Sequence, residues 1–333
     1  MEAYIKAISY YLPEKVLTND MVAKEFPEWT EEKIEKKLGV RERHIAADDE
    51  TASDLAIKAA RKLFTENGIN KASIDYLIFV TQSPDYFLPT SACLIQERLG
   101  LSERITAFDI NMGCSGFVVG LSVAKAVIVG GQAKNVLLLT GETYSKYIHD
   151  RDKSNRTIFG DGAAATLVST EGIAMIGEFV IGTDGGGANN LIVKSGGSRT
   201  PKPANDLEFD VFGNPRSSDY LYMDGPAMLN YTLDRIPSLA AEVLEKNGLT
   251  MDQIDLHVYH QANSFLANME RKVLEIPQEK FYCDIEKTGN TVSSTIPIAL
   301  CESMSCHLLK KGSVIMSLAQ GLGYSWGGVV LFF

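Results

Sequence analysis

The segment Asp109-Ile-Asn-Met-Gly-Cys-Ser-Gly-Phe-Val-Val-Gly-Leu-Ser-Val-Ala-Lys125 predicts a strand that passes through a sharp turn into a helix. Residues 105–110 resemble a short buried strand, and residues 117–128 are too apolar to form a surface helix. Gly113 and Gly116 bracket Cys114, where a backbone without Cβ atoms can bend sharply and let a substrate approach. The segment therefore indicates an α/β protein with Cys114 at the bend.

Cys114 is a candidate nucleophile. We expect its thiol to lie in the first turn of the helix, where the positive end of the helix dipole and unpaired backbone N–H groups favour the thiolate. The thiolate is the reactive form of cysteine. The alternative interpretation is a small buried residue, as most free cysteines are. This segment alone does not decide between the two.

The composition is typical of a globular protein. Among 333 residues, 45% are hydrophobic and 22% are charged, so the chain can bury a large core. The 32 basic and 42 acidic residues give a net charge of −10, which argues against nonspecific binding to nucleic acid. The five cysteines lack close paired spacing, so neither a disulfide framework nor a zinc site is indicated, and we predict a cytoplasmic protein.

No segment has the pattern of a signal peptide or a membrane span. The longest apolar run, residues 117–129, is interrupted by Lys125 and is too short to cross a bilayer. Elsewhere the periodicity predicts surface helices over 18–26 and 29–38, a helix over 51–67 that ends at Gly68, and a covered strand over 74–81. Residues 36–44 gather several cations, among them Lys37, which could meet a phosphate, although such a run is more often a solvated face.

Two parts of the sequence repeat each other at a spacing of 180 residues. A helix, Asn67-Gly68 and a strand at Ile74 return as a helix, Asn247-Gly248 and a strand at Ile254. We interpret this as a duplicated α/β unit with halves at 1–170 and 171–333. For the second half we predict strands over 191–194, 254–259 and 314–318 and helices over 227–246, 263–274 and 294–309. The polar segment 195–219 is long enough to be a lid or a binding loop.

Two further candidate site residues, His260 and Asn290, lie in the second half of the chain. His260 follows a strand, and the ends of parallel strands are where α/β active sites form. His257 is more simply a core histidine. Asn290 lies in a glycine turn before a helix, and its alternative interpretation is an ordinary turn asparagine.

The sequence resembles the β-ketoacyl-ACP synthase III family of the thiolase superfamily. The resemblance runs along nearly the whole chain through Gly39-Val-Arg-Glu-Arg-His44, Leu88-Pro-Thr-Ser-Ala-Cys93, Asn111-Met-Gly-Cys-Ser-Gly-Phe117, Phe159-Gly-Asp-Gly-Ala163, His260-Gln-Ala-Asn263, Gly289-Asn-Thr291 and Gly323-Tyr-Ser-Trp-Gly327. It implies a five-layered αβαβα sandwich of two related halves, a homodimer, and a triad of Cys114, His260 and Asn290.

The same resemblance implies a decarboxylative Claisen condensation. An acyl thioester of coenzyme A or acyl carrier protein would load Cys114, and a malonyl thioester would then lose carbon dioxide and attack the acyl group. His260 and Asn290 would stabilise the enolate, and the backbone N–H groups of Cys114, Leu322 and Gly323 would hold the oxyanion. No metal or redox cofactor enters this scheme.

Several positions depart from the family pattern. Leu322 interrupts a run of glycines, Leu88 stands where a phenylalanine often enters the partner's acyl pocket, and Phe265 replaces an arginine that helps to dock acyl carrier protein. Trp29 is the candidate for one side of an adenine sandwich, and Lys153, with Arg156 nearby, occupies the position of the arginine on the other side. Lysine stacks on a flat ring less well than arginine does.

Two carboxylates, Glu142 and Asp161, need a separate interpretation. Because a glutamate acts as a base in some members of the superfamily, Glu142 leaves open a non-decarboxylative acyl transfer to an oxygen or nitrogen acceptor. A glutamate facing water or the dimer partner is the commoner explanation. Asp161 is expected to bond backbone groups in a turn. A third hypothesis is that the protein is a noncatalytic subunit that uses the fold only to pair with an active synthase. The intact triad argues against it.

Overall fold

A computed structural model describes residues 2–211 and 213–333. The strands are β1 (Tyr4–Tyr11), β2 (Lys15–Thr18), β3 (Glu42–Ile45), β4 (Tyr76–Val80), β5 (Thr106–Ile110), β6 (Asn135–Glu142), β7 (Gly162–Ser169), β8 (Ala174–Thr183), β9 (Leu191–Ile192), β10 (Glu208–Phe209), β11 (Pro215–Arg216), β12 (Tyr222–Met223), β13 (Leu256–His257), β14 (Val314–Gly321) and β15 (Ser325–Phe332). The α-helices are α1 (Asn19–Glu25), α2 (Glu31–Leu38), α3 (Ala52–Glu66), α4 (Ser91–Leu99), α5 (Gly116–Val129), α6 (Gly225–Asn247), α7 (Ser264–Val273) and α8 (Thr295–Ser305). Short 3₁₀ helices cover Lys71–Ser73, Tyr144–Tyr147, Gly185–Gly187, Met251–Gln253, Gln278–Lys280 and Val292–Ser294.

Nine strands form one mixed sheet in the order β13-β14-β15-β8-β1-β7-β6-β4-β5. β4 is parallel to β5 and β6, and β13 is parallel to β14, whereas the other neighbours are antiparallel. β1 pairs with β7 along most of its length but with β8 only through Tyr4 with Met175 and Ile5 with Ala174. The sheet is therefore two groups of strands that join at β1.

The two groups of strands are covered by helices on both faces. In β4, Ile78 and Val80 pack in one cluster with α5 and α8, whereas Leu77 and Phe79 pack with α3 and α4. This alternation follows from the strand geometry, which points successive side chains to opposite faces. The cluster of α5 and α8 also includes residues of β14 and β15, whose other faces pack against α6 and α7. α5 and α8 thus form the middle layer, which gives the predicted five-layered αβαβα sandwich.

The predicted helices agree with the structure to within a few residues. Thr30 caps α2, since its Oγ1 accepts the N–H of Lys33 at 3.2 Å. Thr51 and Asp54 form a capping box at the start of α3. Gly68 follows that helix with a φ of 60°. Within the described residues, no helix is both long enough and apolar enough to cross a membrane.

The strand predictions were less accurate. β5 was predicted as a buried strand, but it is the last strand of the sheet and its side chains are half-buried or exposed. The predicted strand over 191–194 is reduced to β9, which pairs with β12 outside the main sheet. The loop 195–219 contains the hairpin of β10 and β11. β8 and β15 were not predicted. Residues 170–173 connect β7 to β8, and the boundary near residue 170 stays a prediction.

Candidate active site

Cys114 lies in the connection between β5 and α5, and it is only 6% exposed. Ser115 is the N-cap of α5 and Gly116 its first residue, so the thiol precedes the helix instead of lying in its first turn. Burial, with a smaller contribution from the Glu142 carboxyl, raises the pKa of Cys114 to about 12. This direction is opposite to the sequence-based expectation of a favoured thiolate, because burial disfavours the charged form of the thiol.

The turn between β14 and β15 lies directly against the nucleophile. A Cβ atom on Gly321 would lie 3.1 Å from the Cβ of Cys114 and 3.4 Å from its backbone nitrogen. Real Cβ atoms rarely come so close to a neighbour, so glycine allows the two backbones to approach. The approach brings the turn that follows β14 next to the peptide of Cys114.

Two serines tie this turn to the N-cap of α5. The hydroxyl oxygens of Ser115 and Ser325 are 2.7 Å apart, and the Ser325 hydroxyl donates to the C=O of Leu322 at 3.0 Å. The predicted oxyanion donors, the N–H groups of Cys114, Leu322 and Gly323, therefore belong to two segments that are in contact.

His260 follows β13, and its N–H donates to the C=O of Leu318 in β14 at 2.8 Å. Its imidazole is buried, and Nδ1 lies 2.7 Å from the hydroxyl oxygen of Thr295. Burial lowers the pKa of His260 to about 4, so the ring is neutral near pH 7. His257 is a core residue, as predicted, and its Nδ1 lies 2.9 Å from the Tyr259 hydroxyl.

Asn290 reaches the site from the segment before α8. Its N–H donates to the C=O of Ile158 at 2.9 Å, and its C=O accepts from the N–H of Gly160 at 3.1 Å. Its side-chain Oδ1 accepts the N–H of Val292 at 2.8 Å, which leaves Nδ2 as the donor end of the amide. The Thr295 hydroxyl, which contacts His260, also lies 3.2 Å from the C=O of Val292. Asn290 and His260 are thus held by one short segment.

An apolar cluster surrounds Cys114. Its buried members are Cys114, Tyr144, Ile148, Phe159, Leu191, Leu221 and Val292, and the half-buried side chains packed against it are Tyr147, Ile158, Val193, Met223, Met228 and Leu322. Val292 belongs both to this cluster and to the segment that orients Asn290. The structure therefore brings Cys114, His260 and Asn290 to one buried region, although they lie far apart in the sequence.

Glu142 ends β6 and is fully buried, so the expectation that it faces water or a partner is wrong. Its carboxylate accepts the N–H of Gln82 at 3.0 and 3.2 Å, the hydroxyl of Ser83 at 3.0 Å and the hydroxyl of Ser293 at 3.1 Å. Burial nevertheless raises the pKa of Glu142 to about 8. Asp161 is also buried and, as predicted, accepts backbone N–H groups, those of Ala46 at 2.8 Å and Ser145 at 3.0 Å.

Trp29 is half-buried between cations. The Nζ atoms of Lys33 and Lys37 lie 4.9 and 5.6 Å from the centre of its ring. The neighbouring Glu28 forms an ion pair with Lys153 at 2.6 Å. The predicted binding residues Trp29, Lys37 and Lys153 therefore lie close together at the surface.

Arg156 lies beside this group. It forms an ion pair with Glu25, and its guanidinium lies 5.6 Å from the centre of the Phe26 ring. Lys153 and Arg156 are both largely covered, with side chains 16% and 20% exposed. These two cations therefore hold α1 and the following turn against the loop that precedes β7.

The other predicted binding residues are exposed. Leu88 is 83% exposed in a loop that also exposes Tyr86 and Phe87, so it does not reach the site of its own chain. Phe265, in the first turn of α7, is 52% exposed. The guanidinium of Arg271 on the same helix donates to the C=O of Ile276 at 2.9 Å.

Sequence reasoning missed two supporting residues. Thr295 contacts His260, and its position in the first turn of the predicted helix over 294–309 gave no signal of that contact. Arg43 was grouped with solvated cations, yet it is fully buried and donates from Nε to the C=O of Thr157 at 2.9 Å. Burial lowers the pKa of Arg43 to about 10. A Cβ atom on Gly289 would lie 2.9 Å from its Cγ, so Arg43 supports the turn that carries Asn290.

Comparison with known proteins identifies the family of this chain. Residues 108–185 match the family model described as 3-oxoacyl-[acyl-carrier-protein (ACP)] synthase III, and residues 244–333 match the model of its C-terminal part. A β-ketoacyl-[acyl-carrier-protein] synthase III from Chlamydia caviae is 36% identical over 332 residues, which cover 99% of this chain and 96% of that protein. The chain belongs to the 3-oxoacyl-ACP synthase III family.

Other members of the synthase III family give the same result. The enzyme of that name from Caldanaerobacter subterraneus is 35% identical over 323 residues, covering 96% of this chain and 95% of that protein. A crystal structure of a 3-oxoacyl-(acyl-carrier-protein) synthase III is 48% identical, covers both chains fully and superposes with a TM-score of 0.97. A 3-oxoacyl-(acyl-carrier protein) synthase from Burkholderia xenovorans is 35% identical, with a TM-score of 0.91 and coverage of 100% of this chain and 94% of that one. This synthase III family member is therefore a condensing enzyme with the thiolase fold.

Proposed function

We propose that this synthase III joins an acyl thioester to a malonyl thioester by decarboxylative Claisen condensation, with Cys114 as the acyl carrier. The observation that supports it best is the shared segment that orients His260 and Asn290 beside the apolar cluster of Cys114. The name of the relatives, β-ketoacyl-[acyl-carrier-protein] synthase III, agrees with this reaction.

The first step is acyl transfer to Cys114. A sulfur–carbon bond forms to the acyl group, and the bond to the donor thiol breaks. The thiol of Cys114 starts protonated and His260 starts neutral, so the imidazole would accept the thiol proton as the sulfur–carbon bond forms and would then give it to the departing thiolate. The N–H groups of Cys114, Leu322 and Gly323 would hold the oxyanion of the tetrahedral intermediate.

The second step is loss of carbon dioxide from the malonyl thioester. The bond to the carboxylate breaks, and its electron pair forms an enolate at the thioester carbonyl. His260 Nε2–H and Asn290 Nδ2–H would donate to the enolate oxygen, and because both groups are uncharged they do not repel the negative charge that moves onto it. The enolate carbon then forms a bond to the acyl carbon on Cys114, the carbon–sulfur bond breaks, the β-ketoacyl thioester leaves, and the Cys114 thiolate takes a proton from water.

We assign the substrates and partners by the same proposal. Trp29, Lys37, Lys153 and Arg156 form the candidate surface for coenzyme A, and a thioester of coenzyme A or of acyl carrier protein is the donor. The exposed Tyr86, Phe87 and Leu88 form the candidate contact with a second copy of the chain, since adjacent large apolar side chains commonly mark an interface. The five cysteines are free thiols, which supports a cytoplasmic location.

Separate measurement of the two steps tests the proposal. The intact protein is incubated with acetyl-CoA and weighed by mass spectrometry, and malonyl thioester labelled in its carboxyl carbon is then added. We expect Cys114→Ser to take up no acyl group as a thioester and to give no product. His260→Ala and Asn290→Ala should still be acylated while release of labelled carbon dioxide falls about 100-fold or more.

The exposed His307 supplies a control, and His307→Asn should behave as the wild type in both steps. An acylated Cys114 without carbon dioxide release would favour acyl transfer to an oxygen or nitrogen acceptor. Failure of every acyl thioester to label Cys114 would favour the noncatalytic subunit.

A further inference from the structure

Tyr144 is a polar side chain in the apolar cluster around Cys114. It is 3% exposed, and its ring lies 5.4 Å from that of Phe159 and 6.1 Å from that of Tyr147. Its hydroxyl donates to Oε1 of Gln82 at 2.6 Å. Burial raises the pKa of Tyr144 well above its usual value, so the hydroxyl keeps the proton that it donates.

Gln82 is in turn held from two sides. Its backbone N–H donates to the buried Glu142, and its side-chain Nε2 donates to Oδ1 of Asn111 at 3.0 Å. The orientation of the amide is therefore fixed, with Oε1 towards Tyr144. A hydrogen bond between a buried hydroxyl and a fixed acceptor holds the tyrosine ring in one position, since breaking it would leave a polar group unpaired.

The two side chains meet beside the nucleophile. A Cβ atom on Gly113, the residue before Cys114, would lie 2.6 Å from Gln82 Oε1, 2.5 Å from Leu322 Cδ2 and 3.4 Å from the Tyr144 hydroxyl. Side chains from three separate segments therefore close over Gly113, and the ends of Leu322 and Gln82 would have to move to admit one additional methyl group. Protein cores are packed at this density throughout, so a long acyl chain needs space that its lining residues must provide.

We propose that Tyr144, fixed by Gln82, limits the acyl group on Cys114 to short chains such as acetyl and butyryl. The limit rests on the proposed function, because it concerns the thioester that Cys114 accepts. The ring of Tyr144 occupies the cluster into which an acyl chain would extend, and its bond to Gln82 prevents it from rotating away. Tyr144 is thus a specificity-determining residue.

The test is a chain-length profile of Cys114 acylation. The full-length protein is incubated with acetyl-, butyryl-, octanoyl- and decanoyl-CoA, and the rate of mass increase is measured for each. We expect the wild type to accept acetyl and butyryl groups at least about 10-fold faster than octanoyl, because overpacking a filled core is unfavourable. Tyr144→Leu should raise the octanoyl rate about 10-fold relative to the acetyl rate.

Two further variants separate size from hydrogen bonding. Tyr144→Phe keeps the ring but loses the bond to Gln82, and Gln82→Ala loses the same bond, so both should shift the order towards octanoyl, and both by less than Tyr144→Leu does. Thermal unfolding shows whether each variant is folded. If Tyr144→Leu is not folded, the chain-length profile of Gln82→Ala tests the proposal. An unchanged profile in the folded variants, or a wild type that accepts octanoyl as readily as acetyl, overturns the inference alone. A wild type labelled by no acyl-CoA overturns the proposed function as well.

Discussion

His260 Nδ1 lies 2.7 Å from the hydroxyl oxygen of Thr295, and that oxygen lies 3.2 Å from the C=O of Val292. A threonine hydroxyl has one proton to give and can rotate between two acceptors. When it donates to Nδ1, the imidazole proton is on Nε2, as stabilisation of the enolate requires. When it donates to Val292 it can accept Nδ1–H, and Nε2 is then free to take the Cys114 proton. One hydroxyl therefore suits both steps of the proposed reaction.

The first prediction concerns this hydroxyl. Thr295→Val keeps the shape but leaves His260 Nδ1 without a partner, so we expect condensation to slow by about 10- to 100-fold. Because the loss affects orientation of the imidazole, the pH dependence of the condensation rate should change as well. Steady-state turnover and acylation rates at several pH values measure both effects. Thr295→Ser restores the hydroxyl and should retain most of the turnover; equal losses in the Val and Ser variants would contradict this role.

The second prediction is the pH dependence of stability that Glu142 causes. Its folded pKa of about 8 is above that of an unfolded carboxyl group, so between about pH 4.5 and 8 the folded state binds a proton that the unfolded state has lost. Stability must then fall as the pH rises through this window. The slope from this one group is at most about 1.4 kcal/mol per pH unit.

Chemical denaturation of the wild type and of Glu142→Gln at about pH 5, 6, 7 and 8 measures the contribution of Glu142 to stability. The difference between the two free energies of unfolding should move in favour of the Gln variant as the pH rises. His260 and His257, whose folded pKa values are about 4, work in the opposite direction below about pH 6.5 and cancel in the difference. A difference that stays constant between about pH 5 and about pH 8 would contradict the raised pKa of the buried Glu142 carboxyl.

The third prediction concerns the approach of Gly321 to Cys114. In Gly321→Ala the new Cβ would crowd the Cβ and N–H of Cys114 at 3.1 and 3.4 Å, so the nucleophile and the oxyanion donors must move apart. We expect acylation of Cys114 to slow by about 10-fold or more. The control is Gly197→Ala, where a Cβ meets no atom within 4 Å and the rate should be unchanged. Wild-type acylation in the Gly321 variant would exclude the predicted oxyanion site.

The fourth prediction concerns recognition of coenzyme A. Trp29→Ala removes the ring between Lys33 and Lys37, so we expect the KM for acetyl-CoA to rise about 3- to 30-fold with little change in kcat. Acetyl-pantetheine lacks the adenine and should react equally with the variant and the wild type. Parallel losses with both donors would show that Trp29 supports the fold instead of binding the nucleotide.

The sequence by itself determined the class of fold and indicated the three residues that we propose to react. A helix cap such as Thr30 acts through a bond to a residue three positions away, so the local sequence is enough to predict it. The family motifs were enough to select Cys114, His260 and Asn290, which no local pattern could connect. Edge and central strands have similar sequences, so β5 was taken for a buried strand.

Only the tertiary structure decided the protonation state and the hydrogen-bond partners of these groups. Whether Cys114 is a thiolate depends on burial, which comes from segments distant in the chain such as the turn after β14. The sequence did not reveal the surroundings of Glu142 and Arg43 for the same reason, since the hydrogen-bond partners of Glu142 lie 59 to 151 residues away and Thr157, which accepts from Arg43, lies 114 residues away. Charge and hydrogen bonding at a buried site depend on which distant groups the fold brings within a few ångströms, and a linear pattern does not contain those distances.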